Sequence, residues 1–207
     1  PGLAAAPSWT ADPTNQGSAL FGRSVASAGD VNGDGFSDIV VGSEKWDDGA
    51  TTDTGRSYLF LGSAAGPSLA PDWTANPTGQ VGSWFAYSVA CAGDVNADGF
   101  SDVVAGALYW DSGLSNEGRA YVYFGSAAGL QANPGWTADP TDETSAEFGI
   151  RVASAGDVDG DGRADVLVGA YHWGVAPTDE GRAYCFLGSS LGLSTASSWS
   201  EEPTDQA

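Results

Sequence analysis

The stretch that decides the fold is Asp30-Val31-Asn32-Gly33-Asp34-Gly35-Phe36-Ser37-Asp38, in which oxygen-bearing side chains occupy the first, third, fifth and ninth positions. The same pattern returns at residues 94–102 and 157–165. Carboxylates this close to one another repel unless a cation lies between them. Hard divalent cations such as Ca²⁺ prefer oxygen ligands. The sequence therefore predicts three calcium-binding loops.

Each predicted loop supplies four side chains and one backbone carbonyl. The side chains at positions one, three and five converge when the chain curls, and the glycine at position six permits the sharp turn. The seventh residue offers its carbonyl, and the ninth closes the shell through both carboxylate oxygens, which leaves room for about one water. The predicted ligands are Asp30, Asn32, Asp34, Phe36, Asp38, Asp94, Asn96, Asp98, Phe100, Asp102, Asp157, Asp159, Asp161, Arg163 and Asp165.

The residues after each loop indicate a strand and not a helix. An EF-hand opens with a similar pattern, but it needs an acidic ligand at the twelfth position and flanking helices. Here the twelfth position is Val41, Ala105 or Val168, within short β-branched runs that are typical of buried strands. We therefore expect the cation to lie between two strands. The alternative is an Asx-rich turn that binds nothing, and the threefold recurrence argues against it.

Composition and charge restrict the partners and the location of the chain. Its 207 residues include 30 glycines and 10 prolines, which suits an all-β domain with many turns, and its net charge is −20. Such a charge argues against nucleic acid or an anionic membrane as a partner, and no apolar run is long enough to insert into a bilayer. Calcium loops of this kind commonly work outside the cell. We expect a secreted or cell-surface protein, and the first residues lack a secretory leader, as in a mature or excised segment.

A longer repeat of 63 or 64 residues organises the whole chain. Trp9-Thr10-Ala11-Asp12-Pro13-Thr14 returns in similar form from Trp73, Trp136 and Trp199. Each period predicts four short strands: a Phe-Gly segment that begins at Phe21 in the first repeat, the run after the calcium loop, a strand opened by Gly-Arg, and the Trp-Thr strand. Four antiparallel strands in about 60 residues are typical of a β-propeller blade. The predicted fold is all-β, with three four-stranded blades and one extra outer strand.

The repeat predicts one propeller segment over residues 1–207. Residues 1–14 are the outer strand of a preceding blade, followed by blade 1 (15–78), blade 2 (79–141) and blade 3 (142–207). Three blades cannot close a ring of the usual size, about four to eight blades. We therefore expect part of a longer propeller or repeat array, or copies that join to complete a ring. In both cases the end blades need neighbours.

These motifs resemble a known family. Phe-Gly, the loop pattern D-x-N/D-x-D-G-x-x-D and Gly-Ala near the end of the second strand resemble the FG-GAP repeats of integrin α-subunit propellers and of many bacterial secreted and surface proteins. A fungal lectin propeller is similar too. The resemblance covers essentially the whole chain. Two departures are Ala86, where the pattern has Gly, and the residues that replace Pro after Gly-Ala, namely Glu44, Leu108 and Tyr171.

The connections between the second and third strands contain candidate ligand-binding residues. Each connection begins with Trp and continues acidic and polar, and a Trp beside carboxylates can stack on a sugar ring. Alternatively, the indoles wedge between blades with their N–H groups bonded to carbonyls. The candidates are Trp46, Asp47, Trp110, Asp111 and Trp173.

Three further sets of residues are expected to have structural roles. The arginines that open the third strands should pair with acids on a loop or a neighbouring blade, and the repeated tryptophans should pack the outer strand onto its own blade. The two cysteines lie in different repeats and should be free. These residues are Arg56, Arg119, Arg182, Trp9, Trp73, Trp136, Trp199, Cys91 and Cys185.

The sequence offers no group of residues suited to catalysis. His172 is the only histidine, and neither a nucleophile motif nor a phosphate-binding loop occurs. We therefore expect a calcium-stabilised extracellular scaffold for adhesion or self-association, whose partners are copies of itself or further repeats of a longer chain, and a protein or glycan ligand. The alternatives are a carbohydrate-binding lectin propeller and an accessory module of a secreted enzyme.

Overall fold

The computed structural model describes residues 6–140, 143–174 and 180–201. These ranges contain strands, turns and irregular segments and no helix, so none of them offers a helix that could cross a membrane. The strands form three antiparallel sheets of four strands each and one small two-stranded sheet. The all-β prediction with four-stranded blades is confirmed.

Within each blade the strands pair in chain order. Blade 1 contains β1 (Ser24–Gly29), β2 (Asp38–Ser43), β3 (Arg56–Phe60) and β4 (Trp73–Ala75). Blade 2 contains β5 (Phe85–Gly93), β6 (Asp102–Ala107), β7 (Arg119–Tyr123) and β8 (Trp136–Ala138). Blade 3 contains β9 (Phe148–Gly156), β10 (Asp165–Ala170), β11 (Arg182–Phe186) and β14 (Trp199–Glu201), and the hairpin β12 (Gly188–Ser189) with β13 (Gly192–Leu193) precedes its last strand.

Each predicted calcium loop joins the first and second strands of a blade, as the sequence indicated. The first strand ends one residue before the loop, and the second begins at the ninth loop residue, so that Gly29 lies opposite Asp38 in the first blade. The corresponding pairs are Gly93 with Asp102 and Gly156 with Asp165. The loop is therefore held closed by antiparallel pairing at its base.

The start of the first strand differs between blades. In blades 2 and 3 it begins at Phe85 and Phe148, whose amides donate to the carbonyls of Thr54 (3.1 Å) and Glu117 (2.9 Å) in the preceding blade. In blade 1 the strand begins three residues after Phe21, so the predicted start is wrong there. The described residues contain no blade before Phe21 that could accept the same hydrogen bond.

The hydrophobic core lies between neighbouring blades. Val40 and Leu59 of blade 1 belong to one buried cluster with Phe85 and Tyr121 of blade 2. A second cluster joins blades 2 and 3 and includes Val104, Val122, Phe148, Val166 and Phe186. A third, smaller cluster packs Trp9, Ala11 and Phe21 on Val41, Tyr58 and Phe60 of blade 1. Each blade is thus stabilised mainly by burying its faces against the next element along the chain.

The repeated tryptophans pack across the boundary between blades. The ring of Trp73 lies edge-on to Tyr123 of blade 2 at 4.8 Å, and Trp136 lies edge-on to Phe186 of blade 3 at 4.9 Å. Their indole N–H groups donate to the carbonyls of Gln131 and Ser194, both at 3.0 Å. We expected them to pack on their own blade, but their aromatic partners belong to the following one.

Trp9 makes the same kind of contact with blade 1. Its ring lies 5.0 Å from that of Phe60, and its N–H donates to the carbonyl of Ser68 at 2.9 Å. Residues 6–20 contain no assigned strand, and residues 1–5 lie outside the described ranges. The assignment of residues 1–14 to the outer strand of a preceding blade therefore stays a prediction.

Glycines near the end of the second strands let neighbouring blades approach closely. A Cβ atom at Gly42 would lie 2.1 Å from the carbonyl oxygen of Ala86, and one at Gly106 would lie 1.9 Å from that of Gly149. Both contacts are with the Phe-Gly segment of the next blade, and no side chain fits there. The Gly-Ala part of the repeat therefore serves blade packing.

Candidate metal centres

The first Asp of each loop shapes the turn through backbone amides. In the first loop, Asp30 Oδ1 accepts hydrogen bonds from the amides of Gly33 (2.7 Å) and Asp34 (3.1 Å), and Oδ2 accepts one from Gly35 (2.8 Å). Gly35 has φ +89°, a left-handed conformation that favours glycine. Asp94 and Asp157 accept the corresponding bonds from Asp98 and Gly99, and from Gly160, Asp161 and Gly162. The sequence pattern thus produces the same tight turn three times.

The ninth Asp of each loop is buried and joins two parts of the chain. Asp38 is 1% exposed, and its two oxygens accept hydrogen bonds from the amides of Val31 and Gly62, both at 2.8 Å. Asp102 bonds in the same way to Val95 and Gly125, and Asp165 to Val158 and Gly188. Sequence reasoning missed this role, although the glycines recur 23 or 24 residues after each Asp. A carboxylate oxygen has two lone pairs, so each can still bind a cation.

In the first two loops, burial raises the pKa of the ninth Asp and so disfavours its charged form. It raises the pKa of Asp102 to about 7, although the amides of Gly125 and Val95 act in the opposite direction. Burial also raises the pKa of Asp38. In both loops the neighbouring carboxylates add to the increase. A divalent cation would favour the charged form and reverse this effect.

The third loop brings its acidic side chains close enough to share a cation. Asp157, Asp159 and Asp165 each offer a carboxylate oxygen, and these oxygens lie within 4.8 Å of one another. Asp161 is paired with Arg163, whose Nη1 lies 2.8 Å from its Oδ2. The all-oxygen donor set fits a hard cation such as Ca²⁺.

The first two loops have Asn in place of the third-position Asp. Asn32 Nδ2 donates to Asp34 Oδ2 at 3.0 Å, while Asn32 Oδ1 accepts the amide of Asp34 at 3.1 Å. Asn96 and Asp98 form the same pair at 2.9 Å for both bonds. These loops therefore combine two charged positions, one amide and the buried ninth Asp around the turn.

The seventh residues have an additional packing role. The ring of Phe100 lies over the first loop, where a Cβ atom at Gly33 would be only 2.8 Å from its Cε1 atom. Phe36 is 42% exposed. Ligation by the carbonyls of Phe36, Phe100 and Arg163 stays a prediction.

The first two loops also hydrogen-bond to the next blade. The carbonyl of Asp30 accepts the amide of Ser101 at 2.9 Å, and the carbonyl of Val31 accepts that of Ser126 at 3.0 Å. The second loop repeats this arrangement with Asp94 to Ala164 and Val95 to Ser189. Ordering one loop therefore orders part of the boundary between two blades.

The candidate tryptophans of the connections are covered by arginines. The guanidinium carbon of Arg56 lies 3.6 Å from the ring centre of Trp46, that of Arg119 lies 3.9 Å from Trp110, and that of Arg182 lies 3.4 Å from Trp173. Cation–π contact explains why Gly-Arg opens the third strand of every blade. Arg119 also pairs with Asp139 at 3.7 Å, but this acid follows the outer strand of the same blade and does not lie on the preceding loop or a neighbouring blade, as we had expected. One face of each indole is therefore unavailable to a sugar ring.

The acidic candidates of these connections bond to their own loops. Asp47 Oδ1 accepts the amide of Asp53 at 2.8 Å, and Asp111 Oδ1 accepts the amide of Asn116 at 2.6 Å. These bonds close the connection across six and five residues, respectively. Glycan binding by the Trp-Asp pairs stays a prediction.

Two other expectations concern individual positions. Ala86, which replaces Gly, adopts φ 63°, close to the left-handed values of its counterparts Gly22 and Gly149, so the turn is kept despite the substitution. Cys91 and Cys185 are both free thiols, as predicted.

The three blade-like sheets with their repeated acidic loops define a β-propeller segment. The FG-GAP repeat family matches residues 21–60, 85–123 and 148–185, which together make up more than half of the chain. The chain belongs to the FG-GAP repeat family.

Integrin α subunits align with most of the chain. It is 37% identical over 161 residues to integrin alpha-IIb of Mus musculus, which covers 75% of the chain and 15% of that protein. It is 34% identical over 166 residues to integrin alpha pat-2 of Caenorhabditis briggsae, covering 71% of the chain and 13% of that protein. The chain thus spans only about 15% of the length of these relatives.

A solved structure shares the fold alone. The rhamnogalacturonan lyase of Bacillus licheniformis superposes with a TM-score of 0.51 at 13% identity, over 87% of this chain and 34% of the lyase.

Proposed function

We propose that this chain is a calcium-stabilised, extracellular propeller segment that acts as a binding or assembly scaffold and has no catalysis of its own. The observation that carries the proposal is the threefold loop, in which a buried Asp joins the turn to the sheet, together with the bonds from carbonyls of the first two loops to the next blade. The similarity to integrin α subunits supports an adhesion-related role outside the cell.

The predicted cations would stabilise both the loops and the blade boundaries. Each would be held by the side chains at positions one, three, five and nine, with one carbonyl from position seven. The bound ion supplies positive charge that offsets the repulsion among the carboxylates. At about 1 mM free Ca²⁺ and a dissociation constant of about 10–100 μM, each site would add about 1.4–2.7 kcal/mol.

The scaffold role uses the open face of blade 3. Leu167 is 37% exposed, Val158 is 57% exposed and Trp199 is 48% exposed, whereas Trp136, the counterpart of Trp199 in blade 2, is 7% exposed. In blades 1 and 2 the same face is buried by a following FG-GAP blade. The proposed occupant of this face is therefore another FG-GAP blade, from a second copy or from further repeats.

Calcium titration calorimetry tests the metal part of this proposal. We expect three bound ions per chain, and Asp157→Asn should weaken one of them by at least about tenfold because it removes a charged ligand. Asp159→Asn is the matched control, since it gives the third loop the Asn that the first two loops already carry. Asp12→Asn removes the same charge outside the loops and should leave all three ions bound.

Two results would contradict the metal proposal. One is an absence of saturable calcium binding by the wild-type chain. The other is equal weakening by Asp157→Asn and Asp12→Asn, which would reduce the effect to net charge.

Light scattering with calcium at high protein concentration tests self-association. We expect dimers or larger species that Leu167→Asp disrupts, because a buried unpaired carboxylate is costly at a blade boundary. Leu69→Asp is the control, since Leu69 is 86% exposed on a turn. A wild-type chain that stays monomeric would argue against self-association.

A further inference from the structure

A cavity of about 310 Å³ opens where the first strands of the three blades begin. We call it the first-strand pocket, and its lining residues are Arg23, Ser24, Val25, Tyr87, Ser88 and Arg151. The strands β1, β5 and β9 run away from this pocket toward the predicted calcium loops at their other ends. The pocket is therefore separate from the candidate metal centres.

The pocket concentrates positive charge in a strongly acidic chain. Only 7 residues are Lys or Arg, against 27 Asp and Glu. Four of the arginines are used elsewhere, three over tryptophans and one beside Asp161. The other three basic residues are Arg23 and Arg151, which lie against the ring of Tyr87 in the pocket, and Lys45, which lies over the neighbouring ring of Trp84. Basic residues scattered over the surface would not cluster in this way.

The two arginines flank the ring of Tyr87. Arg23 Nη2 donates to Tyr87 Oη at 2.8 Å, and the guanidinium carbons of Arg23 and Arg151 lie 4.8 Å and 5.6 Å from the ring centre. Arg23 Nε also lies 3.4 Å from Glu44, which offsets part of its charge. Among the described residues, Arg151 has no carboxylate within 4.0 Å and bonds only to the carbonyl of Ile150. Arg151 therefore retains donors for an incoming anion.

The two serines add hydroxyl donors to the pocket. Ser24 Oγ accepts the amide of Val89 at 3.0 Å, and Ser88 Oγ accepts the amide of Val152 at 3.1 Å. Each hydroxyl thus acts as an acceptor, and its hydrogen has no acceptor among the described residues. Ser88 is only 5% exposed, so its hydroxyl is fixed by the surrounding strands.

The remaining walls are apolar and aromatic. Val25 is 64% exposed at the pocket. Next to Tyr87, Trp84 stacks at 6.3 Å, and Lys45 Nζ lies 4.6 Å above the Trp84 ring. A ligand in the pocket would meet positive charge on one side and apolar surface on the other.

We propose that the first-strand pocket binds one carboxylate group carried by a small, partly apolar ligand. The guanidinium fork matches the geometry of a carboxylate, the serine hydroxyls can donate to it, and Val25 and Tyr87 contact its apolar part. A net charge of −20 repels a polyanion at long range, so that a single anionic group is favoured. This site goes beyond the scaffold role and does not depend on the metal proposal.

Amide NMR titration with benzoate tests the pocket in the calcium-loaded chain. Benzoate should shift the amides of Val89 and Val152 in a saturable way with a dissociation constant of about 1–10 mM, since a small ligand makes few contacts. Benzamide, the neutral analogue, should bind at least about tenfold more weakly. Arg151→Gln should reduce benzoate affinity about tenfold, and Arg151→Lys should reduce it less because it keeps the charge.

The matched control is Leu69→Asp, which makes the net charge more negative by the same one unit outside the pocket and should leave benzoate affinity unchanged. Thermal unfolding of each variant establishes that it is folded. The proposal would be overturned by equal affinity for benzoate and benzamide, or by equal loss of benzoate affinity in Arg151→Gln and Leu69→Asp. Displacement of benzoate by an equal concentration of sulfate, or no saturable shift up to about 100 mM benzoate, would also overturn it. None of these outcomes changes the expected calcium titration, so failure here is distinguishable from failure of the metal proposal.

Discussion

Blades 2 and 3 have nearly the same sequence pattern but different surroundings. In blade 2, Val95 and Val104 are fully buried beneath blade 3. Their counterparts in blade 3, Val158 and Leu167, are 57% and 37% exposed. The chain therefore repeats residues that suit burial on a face that nothing covers within the described ranges.

Equivalent glycines in blades 2 and 3 show the same difference in surroundings. A Cβ atom at Gly106 would lie 1.9 Å from the carbonyl oxygen of Gly149, whereas at Gly169 the nearest atom would be 3.9 Å away, in its own blade. No contact among the described residues therefore requires a glycine at position 169. Its presence is explained if the face of blade 3 is built to receive another blade.

Substituting alanine for Gly106 and for Gly169 should give the largest difference in stability between the two blades. Gly106→Ala must displace the backbone of β9 and should destabilise the chain by about 2–4 kcal/mol, because overpacking at backbone cannot be relieved by a rotamer change. Gly169→Ala should cost less than about 1 kcal/mol. Chemical denaturation of both variants measures the difference, and equal losses would remove the distinction between the two faces.

Truncating the apolar residues should give a smaller contrast. Val104→Ala removes two buried carbon atoms and leaves a cavity, so we expect a loss of about 2 kcal/mol in the free energy of unfolding. Leu167→Ala should cost clearly less, although it removes more atoms, because its side chain is partly solvated. If Leu167→Ala proves the more damaging in a monomeric sample, blade 3 must be covered in solution by something that the described residues do not include.

The substitution Tyr123→Phe should give the smallest change in stability, and this change should be a gain. This blade 2 residue is 1% exposed, burial raises its pKa, and its hydroxyl has no hydrogen-bond partner among the described residues. The corresponding position in blade 3 is Phe186. Tyr123→Phe should therefore stabilise the chain by up to about 1 kcal/mol by removing an unsatisfied buried group. A clear loss of stability in differential scanning calorimetry would mean that the hydroxyl is bonded.

The sequence predicted the fold within each blade well, because repetition made weak local signals recur. The β-branched run after each loop, the Gly-Arg start of the third strand and the turn glycine appear three times each, and the strands lie where these patterns placed them. The buried ninth Asp was predicted as a ligand, but its bonds to Val31 and Gly62 were not, since they depend on how the third strand returns past the loop.

Contacts between blades were harder to predict for a physical reason. A periodic sequence offers Trp73 an equivalent aromatic position in its own blade and in the next one, and the sequence alone does not distinguish Phe60 from Tyr123. The first-strand pocket was missed because no residue type recurs there in all three repeats: Arg23 and Tyr87 are equivalent positions, and Arg151 is equivalent to Ser88. They meet only because three first strands lie side by side.

We propose that divalent cations order all three loops and that those in the first two loops hold neighbouring blades together. Thermal unfolding followed by circular dichroism tests it most directly, with calcium, with magnesium and with a calcium chelator at matched ionic strength. We predict that the chelator lowers the melting temperature by at least about 10 °C and that magnesium restores it only in part, since Mg²⁺ demands a smaller, more regular ligand shell. An unchanged melting temperature in the chelator would contradict the claim.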